Sequence, residues 1–217
     1  AVTYKTISEK TGIDRNICRS RISRLTELDV VGRYNPMYGA PTHPRFYVSD
    51  DAVAFHYDVY EGNRARIDTE RPEVTMERLE HSISTFLGLR FEGFCERYLK
   101  KSYPCIETGR WWGPSKELDE RGIPMIVDID VTARVESDGS IYDVFGECKM
   151  RRRQTGFTEL NTLTERVGLT GANVNPRYVL FSPSGFTEDL MDYAESRRDT
   201  ILVDLPMLMS DVPPRPL

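Results

Sequence analysis

The most constraining stretch of the sequence is residues 125–150, two β-type runs on either side of Ser137-Asp138-Gly139-Ser140. Asp-Gly between such runs is a strong hairpin signal, because both residues tolerate the positive φ that a two-residue turn demands. The sequence therefore predicts strands over 125–135 and 141–150. Side chains alternate across a strand, so Glu147 and Lys149 share one face, Cys148 takes the other, and Asp128 shares a face with Asp130. If pairing brings these faces together, two carboxylates and an ammonium converge.

The surroundings of the hairpin extend the pattern. From Phe86 onward, Leu87, Phe91, Phe94, Cys95 and Tyr98 follow helical spacing, with Glu92 at the edge of the stripe beside Leu99 and Glu96 rotated further toward solvent. A strand is predicted over 106–112 and a charged loop over 114–124. A helix over 157–167, a strand over 177–182, a helix over 186–196 and a strand over 200–205 follow, then a loose Pro-rich end at 212–217. The order α-β-β-β-α-β-α-β implies an α/β (α+β) fold in which a mixed sheet is flanked by helices.

Ahead of this lies a different kind of segment. A short polar helix at residues 6–11 stops at Gly12, Asp14 is placed to cap a second helix over 15–28, and two strands (30–34 and 45–48) enclose a Pro- and Gly-rich loop at 35–44. The second helix carries a stripe of Ile17, Cys18, Arg21, Ile22, Leu25 and Leu28 mostly at three- and four-residue steps, with Arg15, Arg19 and Arg24 on its other face. Helix, tight turn, basic helix and hairpin spell a winged helix-turn-helix over residues 1–60. Its arginines would meet DNA phosphates or base edges; the same fold also serves protein contacts. Residues 61–85 form a helical connector. The aromatic run 52–60 is expected to pack between the two halves, and residues 64–72 to loop out.

Charge supports two jobs. The chain as a whole is at −5, yet residues 1–50 hold eight basic and five acidic groups, while the remainder holds 21 and 29. With 39% hydrophobic and 29% charged residues the composition is that of a globular protein and too apolar for disorder. No apolar run approaches the ~18 residues of a membrane span, and the first residues lack a signal-peptide pattern. Cys18, Cys95, Cys105 and Cys148 form no CxxC pair and have no histidine at zinc spacing, so they read as reduced buried thiols of a cytoplasmic protein. His43, His56 and His81 are scattered, and Trp111 and Trp112 read as core. The start at Ala1 fits either a piece of something longer or a trimmed terminus.

The chemistry is in the carboxylates. Oxygen ligands suit a hard cation such as Mg²⁺ or Mn²⁺, which keeps waters and a substrate phosphate oxygen. Glu147 with Asp128 or Asp130 supplies the candidate ligands, Glu92 could join from the helix, and Lys149 would orient the attacking water or stabilise the charge of the pentacovalent state. Asp128 either flanks the strand or adds a second carboxylate. Arg151, Arg152 and Arg153, directly after the strand, either contact phosphates or are a solvated run. Taken alone, Glu147 and Lys149 also fit a surface ion pair.

A helix Glu, a strand Asp and a Glu-x-Lys on the next strand, here Glu92, Asp130, Glu147 and Lys149, resemble the PD-(D/E)xK nuclease superfamily of restriction endonucleases and Holliday-junction resolvases. Phe46-Tyr47-Val48-Ser49-Asp50, Gly88-Leu89-Arg90-Phe91-Glu92, Trp111-Trp112 and Gly146-Glu147-Cys148-Lys149 occur in order. Together they resemble the C-terminal half of the archaeal-type P-loop ATPases, where a winged helix and a nuclease-like domain of unknown function follow the ATPase module. The family's Glu-Ile-Asp strand is Asp-Ile-Asp here, and residues 114–124 and the longer hairpin look like insertions. No G-x-x-x-x-G-K-[ST] loop occurs, so the ATPase module would lie elsewhere in the same chain or in a partner. The resemblance implies a nuclease-like domain over 86–217, DNA hydrolysis with Mg²⁺ or Mn²⁺, DNA as partner and a possible homodimer. Its alternative is a non-catalytic DNA-binding, regulatory or protein-interaction module of that ATPase.

Overall fold

The structure is a computed structural model and describes residues 1–38, 44–172 and 175–210. Contacts divide the chain into two compact units, one of residues 1–35 and 42–90, the other of residues 36–41 and 91–217.

In the first unit α1 (Tyr4–Thr11) starts under a Thr3 cap and ends at Gly12, whose φ of 69° lets its N–H close on the Ser8 carbonyl. Asp14 caps α2 (Arg15–Glu27), accepting the Asn16 N–H at 2.8 Å. The strands β1 (Val31–Tyr34) and β2 (Arg45–Val48) pair antiparallel, Val31 opposite Val48 and Tyr34 opposite Arg45. Residues 39–43 of the intervening loop lie outside the described residues.

The expected apolar stripe on α2 is not buried as a stripe. Only Cys18 is buried, while Ile17, Leu25 and Leu28 remain exposed. Arg21 interrupts the face, and a ribbon of four-residue strands has little area to cover a 13-residue helix. The small core there is Cys18, Val31 and Phe46, with the Tyr4 ring 4.4 Å from Phe46.

Asp50 caps α3 (Asp51–Phe55), which continues as a π-helical turn (His56–Tyr60) and a 3₁₀ turn (Glu61–Asn63). Residues 64–72 do not loop out. Arg64–Thr69 forms α4, and Pro72 opens α5 (Pro72–Ser102), a helix of 31 residues that supplies side chains to both units. The helix therefore begins well before Phe86. Proline at the first helical position costs no hydrogen bond, and Met76, Leu79 and Ile83 extend the helical spacing backward from Phe86.

The second unit is a five-stranded sheet in the order β3-β4-β5-β6-β7. Its strands are β3 (Cys105–Leu118), β4 (Pro124–Ser137), β5 (Ser140–Cys148), β6 (Arg177–Phe181) and β7 (Thr200–Val203). The helices α6 (Phe157–Thr170), α7 (Glu188–Ser196) and α8 (Leu205–Met209) complete it. β3, β4 and β5 pair antiparallel; β5, β6 and β7 run parallel through the crossovers α6 and α7. This is the α-β-β-β-α-β-α-β mixed sheet that the sequence predicts.

Two cores sandwich the sheet. Phe91, Cys95, Tyr98 and Leu99 of α5 and Leu208 of α8 pack on Val131, Ala133, Val135, Val144, Val179, Phe181 and Val203. Leu160, Leu163 and Val167 of α6 and Leu190 of α7 pack on Ile129, Phe145 and Leu180 with Trp111. The β6 run is buried on both faces, which is why it reads as continuously apolar. Leu87 does not join the stripe and is exposed; the α5 residues packed on the sheet begin at Phe91.

Residues 114–124 are not a loop. β3 runs to Leu118 with Pro114 paired to Ile126, and only 119–123 turn, held by the Asp119 carboxylate on the Arg121 and Ile123 N–H groups at 2.9 Å. β3 is a sheet edge, where proline is tolerated, and its pairing with β4 becomes irregular beyond Pro114. The last strand ends at Val203, and Asp204 caps the short α8 by accepting the Met207 N–H. The end at 211–217 lies outside the described residues.

The hairpin turn has Asp138 at φ 49° and Gly139 at φ 72°, between paired Ser137 and Ser140. Gly139→Ala is expected to cost about 1 kcal/mol of stability, from the left-handed conformation imposed on a Cβ, and urea denaturation would measure it.

Candidate functional site

The local geometry begins with a break in β4. Gly109 lies opposite Thr132 and Trp111 opposite Ile129, so Arg110 alone faces two residues, Asp130 and Val131. This β-bulge changes the alternation: Ile129 faces α6 while Val131 faces α5. Bulges re-aim side chains, and here the re-aimed residue is Asp130. The β4–β5 ladder ends at Val131 and Gly146, and beyond it Asp130 Oδ2 accepts the Cys148 backbone N–H at 2.8 Å.

Glu147, 3% exposed, stands on the α6 face of β5. Its Oε1 accepts the Lys149 ammonium and its Oε2 accepts Arg166 Nη1 from α6 at 3.3 Å. The same Nη1 donates to the Asp128 carbonyl at 2.9 Å. On α5, Glu92 Oε2 accepts Arg110 Nη1. Cys148 points away from Glu147 into the α5 core, where burial and the neighbouring Cys95 push its thiol up.

These groups feel one another. The Asp130 carboxyl is pushed up to about 7 from an ordinary 3.8, first by burial, then by the negative charges of Glu147 and Glu92, against the Cys148 N–H and Lys149. Burial works to lower the Lys149 ammonium, but Glu147 and Asp130 outweigh it and hold it above its ordinary value. Lys149 is therefore a cation at neutral pH.

The structure thus brings Glu92, Asp130, Glu147 and Lys149 into one electrostatic cluster. Asp128 contributes a backbone carbonyl, and its side chain is exposed. Glu96 is no more solvated than Glu92: their side chains are 18% and 19% exposed, and Glu96 is tied to Lys100 and Thr108. Arg151 pairs with Glu159 at 2.7 Å, which leaves Arg152 and Arg153 as the exposed members of that run. Arg15, Arg19 and Arg24 are exposed along α2, with the Arg19 guanidinium 5.6 Å from the Tyr4 ring centre.

Sequence reasoning missed Arg110 and Arg166. Arg166 flanks the buried Leu163 and Val167 of α6, a boundary position that the helical period could have marked; Arg110 has no such signal. A second buried network also went unseen: Asp143 accepts the Tyr38 hydroxyl at 3.0 Å and Arg134 Nε at 2.9 Å.

The donor set suits a hard divalent cation. Carboxylate oxygens are its ligands, and Mg²⁺ takes one or two carboxylates with waters and substrate phosphate in preference to a full protein cage. Among the described residues no three His, Cys, Asp or Glu side chains form such a cage. Asp130 and Glu147 are the pair that could hold the ion, with Glu92 nearby. A cation would offset the burial and the repulsion from Glu147 and Glu92 that raise the Asp130 carboxyl. Among the described residues no helix is long and apolar enough to cross a membrane.

Residues 56–160 match the model of a family, DUF234, described as archaeal and bacterial proteins of unknown function. The matched stretch contains Glu92, Asp130, Glu147 and Lys149. No curated protein matches the chain. Among solved structures it is similar to AF1548, a protein of unknown function, with 20% identity over 56% of this chain and 65% of that one at a TM-score of 0.37. It is also similar to a repair endonuclease from Pyrococcus abyssi, with 22% identity over 50% of this chain and 41% of that one at a TM-score of 0.30. Each match spans less than two thirds of the other chain's length.

Proposed function

We propose that residues 91–210 form a metal-dependent nuclease unit and that the N-terminal unit is a DNA-binding winged helix. The observation that carries this reading is the Asp130 carboxyl, held at a β-bulge and pressed by Glu147 and Glu92 beside a charged lysine. A carboxyl raised by burial and by two neighbouring carboxylates marks a candidate functional site. When bound, a divalent cation would neutralise charge on a phosphodiester and acidify a water. Asp130 and Glu147 would hold it. Lys149, being charged, would stabilise the negative charge that develops on the phosphoryl oxygens, so abstracting the water's proton would fall to another group. Glu147 positions that ammonium through its Oε1. The partners are DNA and, by the resemblance, a P-loop ATPase module.

The test is nicking of supercoiled plasmid by the full chain, expected with Mg²⁺ or Mn²⁺ and absent in EDTA. Cleavage that survives EDTA, or none at all with metal, refutes the reading.

One observation favours a second reading, a DNA-binding or regulatory module that does not cut. Every candidate ligand already has a partner: Glu92 with Arg110, Glu147 with Lys149 and Arg166, and Asp130 with the Cys148 N–H. Under either reading α2 contributes phosphate contacts. Replacing Arg15, Arg19 and Arg24 together with alanine is expected to lower the slope of log affinity against log salt by about 3 for duplex DNA. Fluorescence anisotropy over a salt series measures it.

A further inference from the structure

Three carboxylates and three cations meet at this site: Glu92, Asp130 and Glu147 against Arg110, Lys149 and Arg166. Lys149 belongs to the Glu-x-Lys pattern. Arg166 does not, and it comes from another element, α6. Its Nη1 lies 2.9 Å from the Asp128 carbonyl and 3.3 Å from Glu147 Oε2, and its side chain is 25% exposed. The carbonyl bond fixes the guanidinium in place. The longer bond to Glu147 is the one that can be exchanged.

We propose that Arg166 is a built-in counter-ion of the metal site, which holds Glu147 while the site is empty and passes to a DNA phosphate when a divalent cation takes that carboxylate. The inference rests on the nuclease reading. The physical argument is charge balance. In the empty site the buried Glu147 carboxylate is flanked by Lys149 on Oε1 and by Arg166 on Oε2, which makes its burial tolerable. A divalent cation adds two positive charges. Arg166 is then the cation displaced from Glu147, and a guanidinium fork matches a phosphate. Metal and phosphate therefore favour each other, and the coupling is reciprocal.

The experiment titrates Mn²⁺ alone into the full chain, read from the electron paramagnetic resonance signal of free Mn²⁺, for wild type, Arg166→Met and Arg166→Lys. Removing the competing charge in Arg166→Met is expected to tighten Mn²⁺ binding by roughly tenfold, while Arg166→Lys stays near wild type. Circular dichroism checks that each variant is folded, and the lysine variant separates charge from packing. Binding of a short DNA duplex, with Ca²⁺ in place of Mn²⁺ to prevent cleavage, is expected to weaken about tenfold in Arg166→Met and to be unchanged in EDTA. Unchanged or weaker Mn²⁺ binding by folded Arg166→Met overturns the counter-ion role. Tighter Mn²⁺ binding with unaltered duplex binding overturns the passage to phosphate. No Mn²⁺ bound by wild type or either variant overturns the metal reading itself, and this inference with it.

Discussion

Lys149→Ala is expected to lower the metal-dependent nicking rate by about 10²- to 10³-fold, the size found when one preorganised donor to a developing anion is removed. The fold should survive. The Lys149 main-chain N–H, which donates to the Phe181 carbonyl at 2.9 Å, is untouched by the substitution. Glu147 would lose one cation and keep Arg166, so it is not left as a lone buried charge. Mn²⁺ affinity should not fall, because an ammonium competes with the metal for Glu147. The combination of near-normal melting, retained metal binding and lost cleavage is what an electrostatic role produces. A variant that cuts as fast as wild type removes Lys149 from the chemistry; one that also loses metal binding makes the residue a structural support of the site.

The parts of this fold that are visible in the sequence are those fixed by local physics. Asp138-Gly139 announces its turn because only such residues sit comfortably at positive φ. Tyr178, Val179, Leu180 and Phe181 announce a doubly covered strand because apolar residues on both faces need cover on both faces. The misses are where tertiary context decides. The front of α5 carries Met76, Leu79, Ile83 and Phe86 at three- and four-residue steps, yet Val74 and Met76 face solvent and Leu79 alone of those four is buried, so the pattern marks its core face poorly. Residues 114–118 look like a loop because of Pro114, and edge position excuses it. At the site, Glu147 and Lys149 were legible from alternation alone. The bulge that aims Asp130 depends on the register with β3, and the pairs Glu92–Arg110 and Glu147–Arg166 join elements far apart in sequence, which no periodicity reports.

That misfit at Asp130 has a pH signature. Its carboxyl ionises near 3.8 ordinarily and at about 7 in the folded chain, so the folded state holds a proton that the unfolded state has released between those values. The group's contribution to stability is complete below the lower value and is lost as pH rises through the upper one. Asparagine cannot ionise and keeps an oxygen for the Cys148 N–H. Asp130→Asn is therefore expected to match wild type near pH 4 and to exceed it by about 1–3 kcal/mol near pH 8, since a tenfold change in an ionisation constant is worth ~1.4 kcal/mol and neighbours relax part of the difference. Thermal melts across pH would show this as a gain of several degrees at the alkaline end. Mg²⁺ should reverse the order. Near pH 8 it raises the melting temperature of wild type, because binding the folded state alone stabilises it, and leaves Asp130→Asn nearly unmoved. The Mg²⁺ effect on wild type should shrink below pH 7, where a proton competes for the same oxygens. If Asp130→Asn melts lower than wild type near pH 8 without metal, then the carboxylate is satisfied by the Cys148 N–H and Lys149, and the site holds no strain for a cation to relieve.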